Sequence, residues 1–120
     1  MSKERQVTKV PSNIIKDLDE IVSARLYRNN ADIIYKGHIP HCGFLLLKGE
    51  ITLTISKTEK IILDSGSLIG VRELMQSDPI GFDVKISSNS SVLILDRSTV
   101  DEILKSDNEG LKELFCKEVA

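Results

Sequence analysis

The sequence predicts a mainly β domain: a jelly-roll-like roll or barrel of short strands, entered through one helix, interrupted once by a helical turn and followed by two helices. Three observations carry this. Turn-forming residues recur at short intervals at Asn29-Asn30, Gly37-His38, Gly49, Lys57 to Lys60, Ser65-Gly66 and Ser88-Asn89-Ser90, the spacing of a small sandwich or barrel. Between these turns the apolar period is that of strands, and it is clearest in Ile51-Thr52-Leu53-Thr54-Ile55-Ser56, where Ile, Leu and Ile face a core and Thr, Thr and Ser face out. Before and after this region the period is helical.

From the N-terminus, residues 1–11 are polar, mixed in charge and closed by Pro11, which reads as a flexible arm. The domain proper then spans 12–120. Ile14, Leu18, Ile21 and Val22 fall at i, i+4, i+7 and i+8, one stripe of an amphipathic helix capped by Ser12 or Asn13 and ending near Ala24. The runs Phe44-Leu45-Leu46-Leu47 and Val92-Leu93-Ile94-Leu95 are apolar without interruption, as strands are when both faces are covered. Phe82, Val84 and Ile86 alternate with Asp83, Lys85 and Ser87, which makes a half-buried strand. After Asp96 the helical period returns. Ser98 with Asp101 forms an approximate capping box before Val100, Ile103 and Leu104, and Ser106-Asp107-Asn108-Glu109 forms a better one. The last helix places Leu111, Leu114, Phe115 and Val119 on one face.

Composition narrows the function. With 120 residues, a single domain buries roughly two-thirds of its unfolded surface without a metal or disulfide. A net charge of −2 with dispersed lysines and arginines has no basic footprint for nucleic acid or an anionic membrane. No apolar run approaches the length of a membrane span, no secretory segment is visible, and Cys42 and Cys116 stand far apart. The chain therefore reads as cytoplasmic, with reduced, structural thiols. No nucleophile has a plausible histidine and acid partner, and no phosphate loop or dinucleotide fingerprint occurs, so no enzymatic activity is expected. Asp17, Asp19 and Glu20 lie opposite the apolar stripe of the first helix and read as solvated charge. His38, His41 and Cys42 lie within five residues and suggest, as a remote alternative, a cupin-like metal site. That pattern has no later histidine, whereas a catalytic zinc takes three protein ligands.

The chain is organised around 69–84, where strand periodicity breaks for the helix-like turn Val71 to Met75. Upstream, Gly37 to Ile51 runs glycine, strand, glycine, strand, with the roll turning sharply at its glycines, where only Gly takes positive φ without penalty. Leu63-Asp64-Ser65-Gly66-Ser67-Leu68-Ile69-Gly70 leads into the turn, and Pro79 and Val84 follow it. This order, from Ser12 to Phe115, resembles the cyclic nucleotide-binding domain family.

The resemblance implies a double-stranded β-helix roll whose phosphate-binding cassette gathers Ile69, Gly70, Val71, Arg72, Glu73, Leu74, Pro79, Ile80, Gly81 and Phe82 around a cyclic nucleotide or another small anion. It implies neither a metal nor a catalytic residue. In relatives that bind cyclic AMP, an acid after the cassette glycine holds the ribose and an arginine after the cassette proline pairs with the phosphate; here Val71 and Ile80 stand there. Each such contact is worth roughly 1.5–3 kcal/mol, so lacking both weakens an otherwise similar site by roughly two to four powers of ten. That argues against cyclic AMP binding in the usual way. Backbone N–H groups at the start of the turn, with Arg72 or Lys85 as a replacement cation, would retain some hold on an anion. The competing readings are that Arg72 and Glu73 are solvated residues of an exposed turn and that Phe82 fills the pocket. Two functions follow as expectations. One is a regulatory module in which ligand occupancy moves the apolar face of Leu111, Leu114 and Phe115, folded over the roll or offered to a protein partner or second copy. The other is a scaffold or interaction domain that kept the roll and lost the ligand.

Overall fold

The two uninterrupted apolar runs form the middle of the molecule, where covering on both faces requires them. The computed structural model describes residues 7–120. Along the chain, β1 (Thr8–Lys9) is followed by α1 (Ser12–Ile21), β2 (Ala24–Tyr27), β3 (Ala31–Ile34), β4 (Cys42–Lys48), β5 (Ile51–Thr54), β6 (Lys60–Leu63) and β7 (Ser67–Ile69). Then come α2 (Val71–Gln76), β8 (Asp83–Ile86), β9 (Ser90–Asp96), α3 (Arg97–Leu104) and α4 (Glu109–Val119). The strands make two antiparallel sheets, one ordered β1-β7-β4-β9-β2 and the other β3-β8-β5-β6.

Alternation along β4 and β9 feeds two separate cores. Leu45, Leu93 and Leu95 project to the helical side of the five-stranded sheet, where they meet Leu18, Val100, Leu111 and Phe115. Phe44, Leu46 and Val92 project the other way and meet Ile51, Leu53, Val84 and Ile86 of the second sheet. The order is thus helices, sheet, sheet. Fully burying one such side chain stabilises the fold by about 1.5–3 kcal/mol, so the two-faced strands contribute on both sides of their sheet.

Four local expectations are corrected. The arm expected over 1–11 lies partly outside the described residues, at 1–6. Within 7–11, Thr8 and Lys9 pair with Leu68 and Ser67, and Val10 is buried. Helix α1 is opened by Pro11, whose carbonyl accepts from Ile14 N and Ile15 N, with no side-chain cap from Ser12 or Asn13. It ends at Ile21, which is 55% exposed, because Val22 is already extended; the buried stripe is Ile14 and Leu18 alone. Helix α3 is capped by Asp96, whose carboxylate accepts from Thr99 N at 2.8 Å, so Ser98 falls inside the first turn. Helix α4 is capped by Asn108, accepting from Leu111 N at 3.1 Å, while the Ser106 hydroxyl is buried without a partner among the described residues.

Candidate functional site

The interruption expected at 69–84 is present, and its boundaries are set by two left-handed residues. Gly70, at φ 83° and ψ −11°, turns the chain out of β7 into the six-residue helix α2. Ser77, at φ 56° and ψ 44°, ends it, its N–H bonding Glu73 O. The following loop is fastened to the Gly37-His38 turn by Ile80 N to His38 O at 2.9 Å and Gly37 N to Ile80 O at 2.8 Å. These bonds hold Ile80 and Phe82 inward, each 2% exposed. Both pack between the sheets with Ile34, Phe44, Ile69 and Val84.

Val71 is fully buried on the opposite side of the sheet, in the helical core with Leu74. Its close seat explains Gly43. A Cβ at Gly43 would lie 2.4 Å from Val71 Cγ2, so this glycine allows α2 to approach β4, while the positive-φ turns expected of the segment's glycines occur at Gly37 (φ 87°) and Gly49 (φ 104°).

The structure therefore divides the ten cassette residues. Ile69, Ile80 and Phe82 fill the space between the sheets, Val71 and Leu74 join the helical core, and Pro79 and Gly81 are exposed. Arg72 and Glu73 are half-buried rather than solvated, and this corrects the exposed-turn reading. Arg72 lines a cavity of about 690 Å³ with Thr8, Asn13, Ile14, Leu114 and Glu118, on the helical side of the molecule. Lys85 lies on the outer face of the second sheet, beside Asp32, Tyr35 and Asp83, because its neighbours Val84 and Ile86 take the inward positions. Neither cation reaches the space between the sheets, so the replacement-cation expectation is corrected as well.

Three contacts tie the cassette and the chain's two ends together. Arg97 Nη2 donates to Leu74 O at 2.5 Å, Gln76 Nε2 donates to Val119 O at 2.7 Å, and Thr8 Oγ1 donates to Glu118 Oε1 at 2.5 Å. Arg97 thus satisfies a carbonyl of the last turn of α2. None of these residues stood out in the sequence, since partners as much as 110 positions apart leave no local pattern. Burial pushes the Glu118 carboxyl up; the Thr8 bond opposes this, nearby Glu73 adds to it and Arg72 offsets it. Burial also raises the Cys42 thiol, followed by the nearby charge of Asp96, so this cysteine is held in its unreactive form.

The His38 ring sits 5.9 Å from that of Tyr35. Among the described residues, no group of three His, Cys, Asp or Glu side chains is arranged to hold a metal. No helix of the described residues is long and apolar enough to cross a membrane.

With this geometry in place, comparison with known families is decisive: residues 24–107 match the cyclic nucleotide-binding domain. The chain belongs to that family. No curated protein matches it in sequence. Among solved structures, a domain from work on a cyclic-GMP-dependent signalling pathway that regulates bacterial phytopathogenesis superposes with a TM-score of 0.79 at 12% identity, covering 92% of this chain and 90% of that one. The catabolite activator protein of Thermus thermophilus gives 0.68 at 15% identity over 89% of this chain and 52% of that one. The regulatory domain of Toxoplasma gondii PKA, solved with cAMP, gives 0.64 at 15% over 90% and 42%. At these identities the likeness is one of fold. This cyclic nucleotide-binding domain spans about half of the catabolite activator and less than half of the kinase chain.

Proposed function

We propose that this domain is a regulatory module that acts through protein contact, and that its cassette serves as packing rather than taking cyclic AMP in the family's usual way. The observation that carries the proposal is the burial of Ile80 and Phe82, each 2% exposed, in the core between the sheets. Ile80 occupies the position where the family resemblance places the phosphate-pairing arginine. A buried isoleucine offers an anion no charge and no hydrogen bond, and emptying its place would cost the fold its packing.

Output through the C-terminal helices follows from how they are attached. Leu111 and Phe115 are folded down on the five-stranded sheet, the closed alternative of the two weighed from the sequence. Because Arg97 and Gln76 join α3 and α4 to the cassette helix, a partner that prefers one position of α4 biases the cassette, and the reverse holds equally. The partner class is another protein or a second copy of this chain.

A second reading, a cyclic nucleotide sensor, is favoured by the bracketing of α2 between left-handed Gly70 and Ser77, which gives the cassette backbone a defined shape whatever its side chains. A structural neighbour from a cyclic-GMP-dependent pathway also supports it. Thermal unfolding with cyclic AMP, cyclic GMP and a cyclic dinucleotide separates the two. A ligand at a hundred times its dissociation constant adds about 2.7 kcal/mol, a shift of several degrees. We expect no shift from any of the three; a shift of that size from one of them would select the sensor reading.

A further inference from the structure

The cavity beside Arg72 is separate from the space between the sheets and is bounded by parts of the chain distant in sequence: β1 with the start of α1, the cassette helix α2, and α4. Its volume of about 690 Å³ lies within the range of small-molecule sites. The charges around it are only partly matched by direct contact. Lys117 and Glu113 face each other at 3.8 Å, four residues apart and exposed, and account for one another. Arg72 and Glu118 line the same cavity and the arginine's charge reaches the carboxyl, yet among the described residues no direct salt bridge joins them. Arg72 Nε is buried with no hydrogen-bond partner among the described residues, an arrangement that is costly unless something supplies an acceptor. Thr8 donates to one oxygen of Glu118, Oε1. Pro11, Ile14 and Leu114 give the same cavity an apolar part of its lining.

We propose that this cavity binds a small zwitterion with an apolar side group, the class of the aliphatic α-amino acids, with Arg72 at its carboxylate, Glu118 at its ammonium and Ile14 and Leu114 along its side chain. A cation and a carboxylate that share a cavity without a direct salt bridge suit a ligand carrying both opposite charges. A simple anion would meet Glu118, and a simple cation would meet Arg72. Burial raises the Glu118 carboxyl, and a ligand ammonium beside it lowers it again. The site joins α2 to α4, so occupancy stiffens the same junction that Gln76 bridges. The inference stands whether or not the cassette takes a cyclic nucleotide.

The test is titration of the full chain with L-leucine, followed by NMR and thermal unfolding, against 4-methylpentanoate and 3-methylbutylamine, which each keep one charge. L-Leucine is expected to move the resonances of Thr8, Asn13 and Leu114 and leave that of Phe82 in place. Each single-charge analogue, and each of the variants Arg72→Gln and Glu118→Gln with L-leucine, should bind about tenfold more weakly or worse. Circular dichroism of both variants checks that they fold. The proposal is overturned if none of L-leucine, L-isoleucine, L-valine and L-methionine perturbs these resonances. It is equally overturned if an analogue binds as well as L-leucine, or if both folded variants bind it unchanged.

Discussion

The space between the sheets and the cavity beside α4 flank the same cassette and are built from opposite materials. Between the sheets, Ile69, Ile80 and Phe82 pack against Ile34, Phe44 and Val84. On the helical side, Arg72 and Glu118 face a cavity of about 690 Å³. The cassette backbone thus serves both places, and side-chain chemistry decides which of them is open. Where relatives that bind cyclic AMP keep charge, this chain buries the aliphatic side chains of Val71 and Ile80. Its Arg72 stands one residue after the family's acid position, far from the arginine position at Ile80, and lines the cavity on the helical side. Retention of a fold and retention of its ligand site are therefore separate questions, answered by different residues.

The contrast breaks most visibly at Ile80. Replacing it with arginine restores the family's charge at a position 2% exposed and packed among the apolar side chains of its core. Ile80→Arg is expected to cost about 3–5 kcal/mol, read by urea unfolding, because the charge must be buried unpaired or the loop must open. Unchanged stability would mean that the inter-sheet space admits water and that the filled-cassette reading is wrong.

The next largest effect tests how closely α2 is seated. Gly43→Ala places a methyl group 2.4 Å from Val71 Cγ2, and overpacking of this kind costs about 1–3 kcal/mol. Adding Val71→Ala removes the clash, so the double variant should be more stable than the sum of the two single losses. Strict additivity would show that the helix moves aside freely.

The smallest effect concerns the charged side. Burial raises the Glu118 carboxyl, so the folded state holds its proton more tightly than the unfolded chain does. Its contribution to stability is fully present below the unfolded value and is lost as pH rises through the raised folded value. Glu118→Gln keeps an acceptor for Thr8 and carries no charge. It should therefore raise the melting temperature at pH 7, with the gain fading as the pH is brought below about 4. A gain that persisted at low pH would place its cause in packing.

Much of the architecture was legible because it depends on period. The runs Phe44 to Leu47 and Val92 to Leu95 announced a sheet covered on both faces, and they lie in its central strands. The break after Ile69 announced a helical turn, and Gly70 and Ser77 bound it. Caps were less legible. Ser98 and Ser106 fit the capping pattern, yet Asp96 and Asn108 make the bonds, since each helix begins where its sheet strand or preceding turn releases the backbone.

The sequence by itself determined the element order, the family and the absence of the two charges at Val71 and Ile80, because these are properties of period, spacing and residue identity along the chain. Only the tertiary structure decided that Arg72 faces away from the roll, that Phe82 fills it, and that Thr8 and Glu118 meet across 110 positions. A short helix can present either side to its sheet with the same local pattern. The choice between them is made by what it packs against, here a glycine at position 43 and a helix that starts thirty-three residues after α2 ends.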